Sequence, residues 1–284
     1  MEEGGDEYLR CLRELAQQGQ NTGHVVAIGE CGLDYDRLQF CSKEVQLRHF
    51  EKHFELANIT GLPMFLHNRN TSGDFARIVG KNRHRFSHGV VHSFTGGKEE
   101  LEELLKLDLF IGINGCSLKT AENLEVMANI PLDRLMIETD GPWCEIRRTH
   151  AGYKYVKSHF EAVKKEKHTP DDGKCVKGRV EPCHIQQVIE VIASYRNIDP
   201  NTLAEAALRN TRRVFFPNDS SPHSQHQNQD IAASSSSPAA APTSTSTSTA
   251  TSTQAGRVLW DPILRQNNRL AAATTAAAAA AAAA

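Results

Sequence analysis

Four short apolar runs in this chain each lead into a residue able to hold a metal ion. Val25-Val-Ala-Ile-Gly29 leads into Glu30, Pro63-Met-Phe-Leu66 into His67, Gly89-Val-Val91 into His92, and Leu135-Met-Ile-Glu-Thr139 into Asp140. A fifth run, Leu109–Ile113, has no such residue after it. Between the runs lie longer segments of helical period, and this alternation is the signature of an α/β protein with a parallel sheet. The runs are apolar on both faces, as strands covered by helices must be. A polar residue at the carboxyl end of such a strand is hard to explain as packing, whereas that end is where parallel sheets and barrels place their sites.

The intervening helices can be placed from spacing. Leu47, Phe50, Phe54 and Ala57 step by three and four after Ser42, an expected N-cap, and before Gly61 and Pro63, which end the helix. Leu101, Leu104 and Leu105 mark a second, Ile185 to Ile192 a third, and about Thr202 to Val214 a fourth. From Trp143 to Cys183 no long apolar run occurs, and ten Lys and Arg residues make the segment basic. It is expected to be an extended loop.

Two carboxylates and two imidazoles suit a divalent cation such as Zn, Mn or Mg, and a carboxylate can bridge two ions. Such a site hydrolyses phosphoesters or amides. The sequence has no G-x-S-x-G and no G-x-x-x-x-G-K-[ST], and no cysteine has an evident triad context, so serine-nucleophile and nucleotide-hydrolase chemistry are not expected.

Composition separates a body, residues 1–217, from a tail, 218–284, written in Ser, Thr, Pro, Ala and Gln and ending in nine alanines from Ala276. The tail is expected to be disordered, because such text buries too little apolar surface to offset its ordering entropy. A formal net charge of −2 excludes a polybasic protein held to nucleic acid by its global field. Seven cysteines, an odd number without any C-x-x-C pair, argue against a disulfide framework. The acidic start at Glu2, Glu3 and Asp6 is unlike a secretory signal, which leads to an intracellular expectation, nucleus or cytoplasm. No apolar run is long enough to span a membrane, so no membrane partner is expected.

Several strings carry a specific resemblance: Ile28-Gly-Glu-Cys-Gly-Leu-Asp-Tyr-Asp-Arg37, Phe65-Leu-His-Asn-Arg69, Val91-His-Ser-Phe-Thr-Gly96, Ile111-Gly-Ile-Asn-Gly115 and Ile137-Glu-Thr-Asp-Gly-Pro-Trp-Cys144. With Thr149-His-Ala-Gly152, Glu181-Pro-Cys-His184 and Asn210 to Phe216, they resemble the TatD family of metal-dependent deoxyribonucleases, in its eukaryotic branch, over roughly residues 7–217. The resemblance implies a (β/α)₈ TIM barrel of the metallo-dependent hydrolase type, hydrolysing DNA phosphodiesters with two divalent ions, often as a 3′–5′ exonuclease. It implies that Glu30 bridges the metals, that His67 and His92 are imidazole ligands, and that Asp140 binds metal and orients or deprotonates the attacking water. Arg69 and Trp143 are implied substrate contacts.

Two departures qualify this. The family's Glu-bearing strand is its fourth, yet here it begins at Val25, and no His-x-His, the family's usual first-strand ligand pair, occurs anywhere. The expectation is therefore an incomplete barrel of about five parallel strands, corresponding to the family's fourth through eighth, either a truncated form of a full enzyme or a partial barrel with impaired chemistry. The alternative function is a non-catalytic remnant that binds nucleic acid or another protein.

Overall fold

The structure is a computed structural model that describes residues 3–169, 171 and 173–218. The tail from residue 219 lies outside the described residues, and so does the expectation that it is disordered. Helix α1 (Glu3–Asn21) precedes strand β1 (Ile28–Asp34), followed by α2 (Lys43–Thr60), β2 (Met64–Arg69), α3 (Asp74–Asn82), β3 (Gly89–Val91), α4 (Lys98–Lys106), β4 (Phe110–Ile113), α5 (Ala121–Ala128) and β5 (Leu135–Ile137). After β5 come a pair of two-residue strands, β6 (Ala162–Val163) and β7 (Cys175–Val176), then α6 (Ile185–Arg196) and α7 (Pro200–Phe215). Strands β1 to β5 form one sheet in chain order, every pairing parallel. This is an incomplete (β/α) barrel.

Side-chain alternation along the strands sorts the molecule into two cores. Met64, Leu66, Val91, Ile111 and Leu135 point into the large core shared with the helices. Phe65, Val90, Phe110 and Met136 point to the other, inner face, where a smaller cluster is closed by Val214, Phe215 and Phe216 at the end of α7. The inner face continues past the apolar residues at steps of two, to His67 after Phe65, His92 after Val90, and Glu138 after Met136. The polar residues are thus the last inward positions of strands whose earlier inward positions fill the core.

Helix α2 ends as its sequence requires: Gly61 is left-handed at φ 67° and its N–H donates to Ala57 O. Ser42 occupies the N-cap position of α2 but makes no side-chain cap bond, so the expected cap is only positional. Two short helices, α3 and α5, were not apparent from spacing; α5 is set by a capping box of Thr120 and Asn123. The segment from Trp143 to Cys183 is not a plain extended loop. It carries helical turns at Ala151–Tyr155, Lys165–Lys167 and Pro182–His184 and the β6–β7 pair. No helix among the described residues is long and apolar enough to cross a membrane.

Candidate metal centre

Strand β1 differs from the run expected at Val25–Gly29. It starts at Ile28, and its register against β2 shifts between Ile28 and Cys31, a bulge-like irregularity. Glu30 therefore sits inside the irregular strand rather than just beyond it, and His67 likewise lies within β2. Gly32 makes the close approach of these strands possible, since a Cβ there would lie 1.8 Å from His67 O.

Three predicted residues are brought together. Glu30 Oε1 lies 2.8 Å from His67 Nδ1 and 2.7 Å from His92 Nε2, and the two ring nitrogens are 3.0 Å apart. Burial alone would raise the Glu30 pKa, but hydrogen bonds from both imidazoles overcome it and hold the carboxyl well below the usual range. Burial likewise disfavours charge on His92, yet the Glu30 hydrogen bond and the negative charges of Glu138, Glu30 and Asp140 raise it to about 9. Phe65 stacks on the His92 ring at 5.0 Å and fixes its plane.

Asp140 stands apart from this triangle. It lies three residues beyond β5, with a left-handed φ of 53°, and its Oδ2 accepts from the Cys144 thiol at 3.4 Å. Burial raises its pKa, and it acts electrostatically on Glu30 and His92. Ser93, directly after His92, is also left-handed at φ 52°. Such conformations in non-glycine residues cost about 1–3 kcal/mol and concentrate where side chains are aimed for function.

Arg69 and Trp143 occupy the rim. Arg69 Nη1 is 3.6 Å from Asp34 Oδ2 and 40% exposed, and Trp143 is 70% exposed. Two participants escaped the sequence reading. Asp34 Oδ2 lies 3.2 Å from His67 Nε2, on the ring edge opposite Glu30, so it orients that imidazole. Glu138 lies at the inward position before Asp140; it accepts from Ser93 N–H, and burial raises its pKa to about 7. Gly112 makes room for it, because a Cβ there would come within 2.9 Å of Glu138 Oε1. Both acids stand in quoted strings, and the step-of-two rule applied past the strand ends would have found Glu138.

The donor set fits a cation. Ligand atoms of Glu30, His67 and His92 all lie within 4.8 Å of one another. Two nitrogens bound at about 2.05 Å to a tetrahedral ion stand about 3.3 Å apart, and the triangle here is slightly tighter. Parallel strands that deliver clustered carboxylates and imidazoles from the inner face of a sheet define the class: an incomplete barrel of the metallo-dependent hydrolase kind.

Similarity to known proteins narrows the class to one family. The family described as TatD related DNase matches residues 2–216, and the chain belongs to that family. It is 43% identical over 212 residues to a Schizosaccharomyces pombe protein named Deoxyribonuclease Tat-D, covering 74% of this chain and 67% of the relative. A Pectobacterium carotovorum protein named 3′-5′ ssDNA/RNA exonuclease TatD is 34% identical, with 67% and 66% covered. The crystal structure of a TatD family hydrolase from Entamoeba histolytica superposes with a TM-score of 0.66 at 38% identity, covering 70% of this chain and 66% of that one. The chain spans about two thirds of the length of these relatives.

Proposed function

We propose that this chain carries the hydrolytic site of a divalent-metal-dependent nuclease acting on the phosphodiester bonds of single-stranded DNA from the 3′ end. The observation that carries the reading is the Glu30 carboxylate set between two imidazoles at the inner end of the sheet, in a member of a family whose relatives are named deoxyribonucleases and exonucleases. Glu30, His67 and His92 would hold an ion, with Glu30 the bridge and Asp140 the remaining carboxylate if two are bound; Mg, Mn or Zn would polarise the scissile phosphate and favour ionisation of a bound water.

The residues themselves do the rest. Asp140, half-buried and in a fixed left-handed conformation, orients the attacking water and takes its proton. Asp34 holds His67 from its far side. Arg69 offers a guanidinium to a phosphate on the rim, and the exposed Trp143 indole offers a stacking surface for an unpaired base.

The second reading is a chain that binds nucleic acid without cutting it, for which the rim residues Arg69 and Trp143 would suffice. The experiment uses a 5′-labelled single-stranded oligonucleotide with Mg or Mn, with and without chelator. A ladder shortening from the 3′ end, abolished by chelator and by Glu30→Gln, supports the nuclease. Cleavage indifferent to Glu30→Gln overturns the site, and retention of the strand without cleavage at any divalent ion establishes the second reading.

A further inference from the structure

We propose a second metal centre, a thiolate–imidazole site for Zn(II), formed by Cys175, Cys183 and His184. Cys175 lies on β7, and Cys183 and His184 belong to the turn that leads into α6. The two sulfurs are 3.9 Å apart, and Cys183 Sγ is 3.5 Å from His184 Nδ1. A tetrahedral zinc with Zn–S near 2.3 Å and Zn–N near 2.05 Å sets S···S at about 3.8 Å and S···N at about 3.6 Å. Both separations are therefore already those of a shared ion, while the sulfurs are nearly twice as far apart as in a disulfide, about 2.05 Å.

The surroundings agree with the geometry. Glu181 Oε1 accepts from Val176 N–H at 3.2 Å, and the same side chain accepts from the His184 backbone N–H, which joins the two thiol-bearing segments; a water would take the fourth corner. Phe160 packs on the His184 ring, with centroids 4.9 Å apart, and limits its rotation. His184 Nδ1 now accepts from Glu181 N–H at 3.1 Å; the ion takes that lone pair, and each thiol releases its proton as the metal–sulfur bond forms. Soft sulfur donors with an imidazole select zinc over Mg or Mn, which separates this centre from the oxygen-and-nitrogen set around Glu30. Its role is to staple a segment with few long apolar runs: Val180 and His184 line a cleft with Thr139 and Cys144, so the ion would fix one wall of the approach to Asp140.

The test adds Co(II) to the reduced full chain and reads the sulfur-to-cobalt charge-transfer band, which a site without sulfur ligands does not give. We expect a band that persists in Glu30→Gln, is bleached by Zn(II), and is lost in Cys175→Ser and in Cys183→Ser. Mass-mapped alkylation supplies a readout free of variants: one equivalent of Zn(II) should slow iodoacetamide labelling of Cys175 and Cys183 at least tenfold. No band from the reduced chain overturns the centre, as does a band unchanged in both serine variants. So does labelling of both thiols at the same rate with and without zinc. Should a serine variant not fold, the band and the protection of the unaltered chain decide.

Discussion

Asp34 illustrates how a single carboxylate can serve a site without belonging to its donor triangle. Its Oδ2 faces His67 Nε2 at 3.2 Å while Arg69 Nη1 stands 3.6 Å away, so it both orients the imidazole and holds the rim cation in place. Removing such an orienting partner from a metal-bound histidine typically weakens metal affinity or activity 10–100-fold. Asp34→Asn is therefore expected to raise the divalent-ion concentration needed for half-maximal binding about tenfold or more, with the fold intact by circular dichroism. An unchanged calorimetric titration would show that His67 is held by packing alone. A second carboxylate gives a pH prediction away from the site. Asp74 is held below the usual carboxylate range by hydrogen bonds from Arg77, Lys43 and Tyr35. A depressed folded pKa contributes stability that is present above the unfolded value, about 3.9, and is lost as pH falls through the folded one. Because its cationic partners are exposed, the contribution is about 1 kcal/mol. Urea denaturation of Asp74→Asn should show that deficit at pH 7 and progressively less of it below about pH 4. A deficit constant with pH would assign the effect to packing.

At the scale of elements, what was legible and what was not follow from the same rule. The positions of β3 and β5 and the core of β4 were plain because Val90, Val91, Phe110, Ile111 and Leu135 are apolar on both faces. The extent of β1 was not, because Glu30, Gly32 and Asp34 interrupt it; only the buried alternates Cys31 and Leu33 mark it as a strand. Helices α3 and α5 were missed because their buried residues, Phe75, Ile78 and Val79 in one and Leu124, Val126 and Met127 in the other, include β-branched side chains that favour strands, unlike the three leucines that mark the equally short α4. Three of the site's donors were legible as the residues after apolar runs; Glu138 follows from the same alternation carried past β5, while Asp34 was hidden because its importance lies in a pairing with the distant His67. Asn210 is a similar case in α7. Buried in a helix otherwise read as a packing face, it donates through Nδ2 to both Leu132 O and Leu135 O at 2.8 Å and so ties α7 to β5. Asn210→Ala leaves two carbonyls without that partner and should cost about 2–3 kcal/mol in thermal or denaturant unfolding. A loss below about 0.5 kcal/mol would mean that water replaces the amide.

For the molecule as a whole, the decisive feature is that the sheet does not close among the described residues. Strand β1 pairs only with β2 and β5 only with β4 among the described residues, whereas a complete barrel joins its first strand to its last and has no edge. The seven-residue β1 is the longest strand, and it presents backbone donors and acceptors on its free side, the arrangement that templates pairing with another chain. Its shielding is one-sided: α2 packs over β1 and buries Phe50 and Phe54, but it covers a face of the sheet rather than the edge. The inner cluster is also thin, five buried residues closed by the end of α7, so little apolar surface opposes opening on that side. Edge pairing between copies would satisfy the β1 groups and extend the inner cluster at once. The described body is therefore expected to self-associate. Sedimentation velocity over a hundredfold range of concentration should show a weight-average coefficient that rises with loading, and a proline placed at Leu33, within β1, should unfold the chain rather than dissociate it, because Leu33 is wholly buried. A sedimentation coefficient that stays monomeric at every loading would show that the open edge is protected within the chain itself.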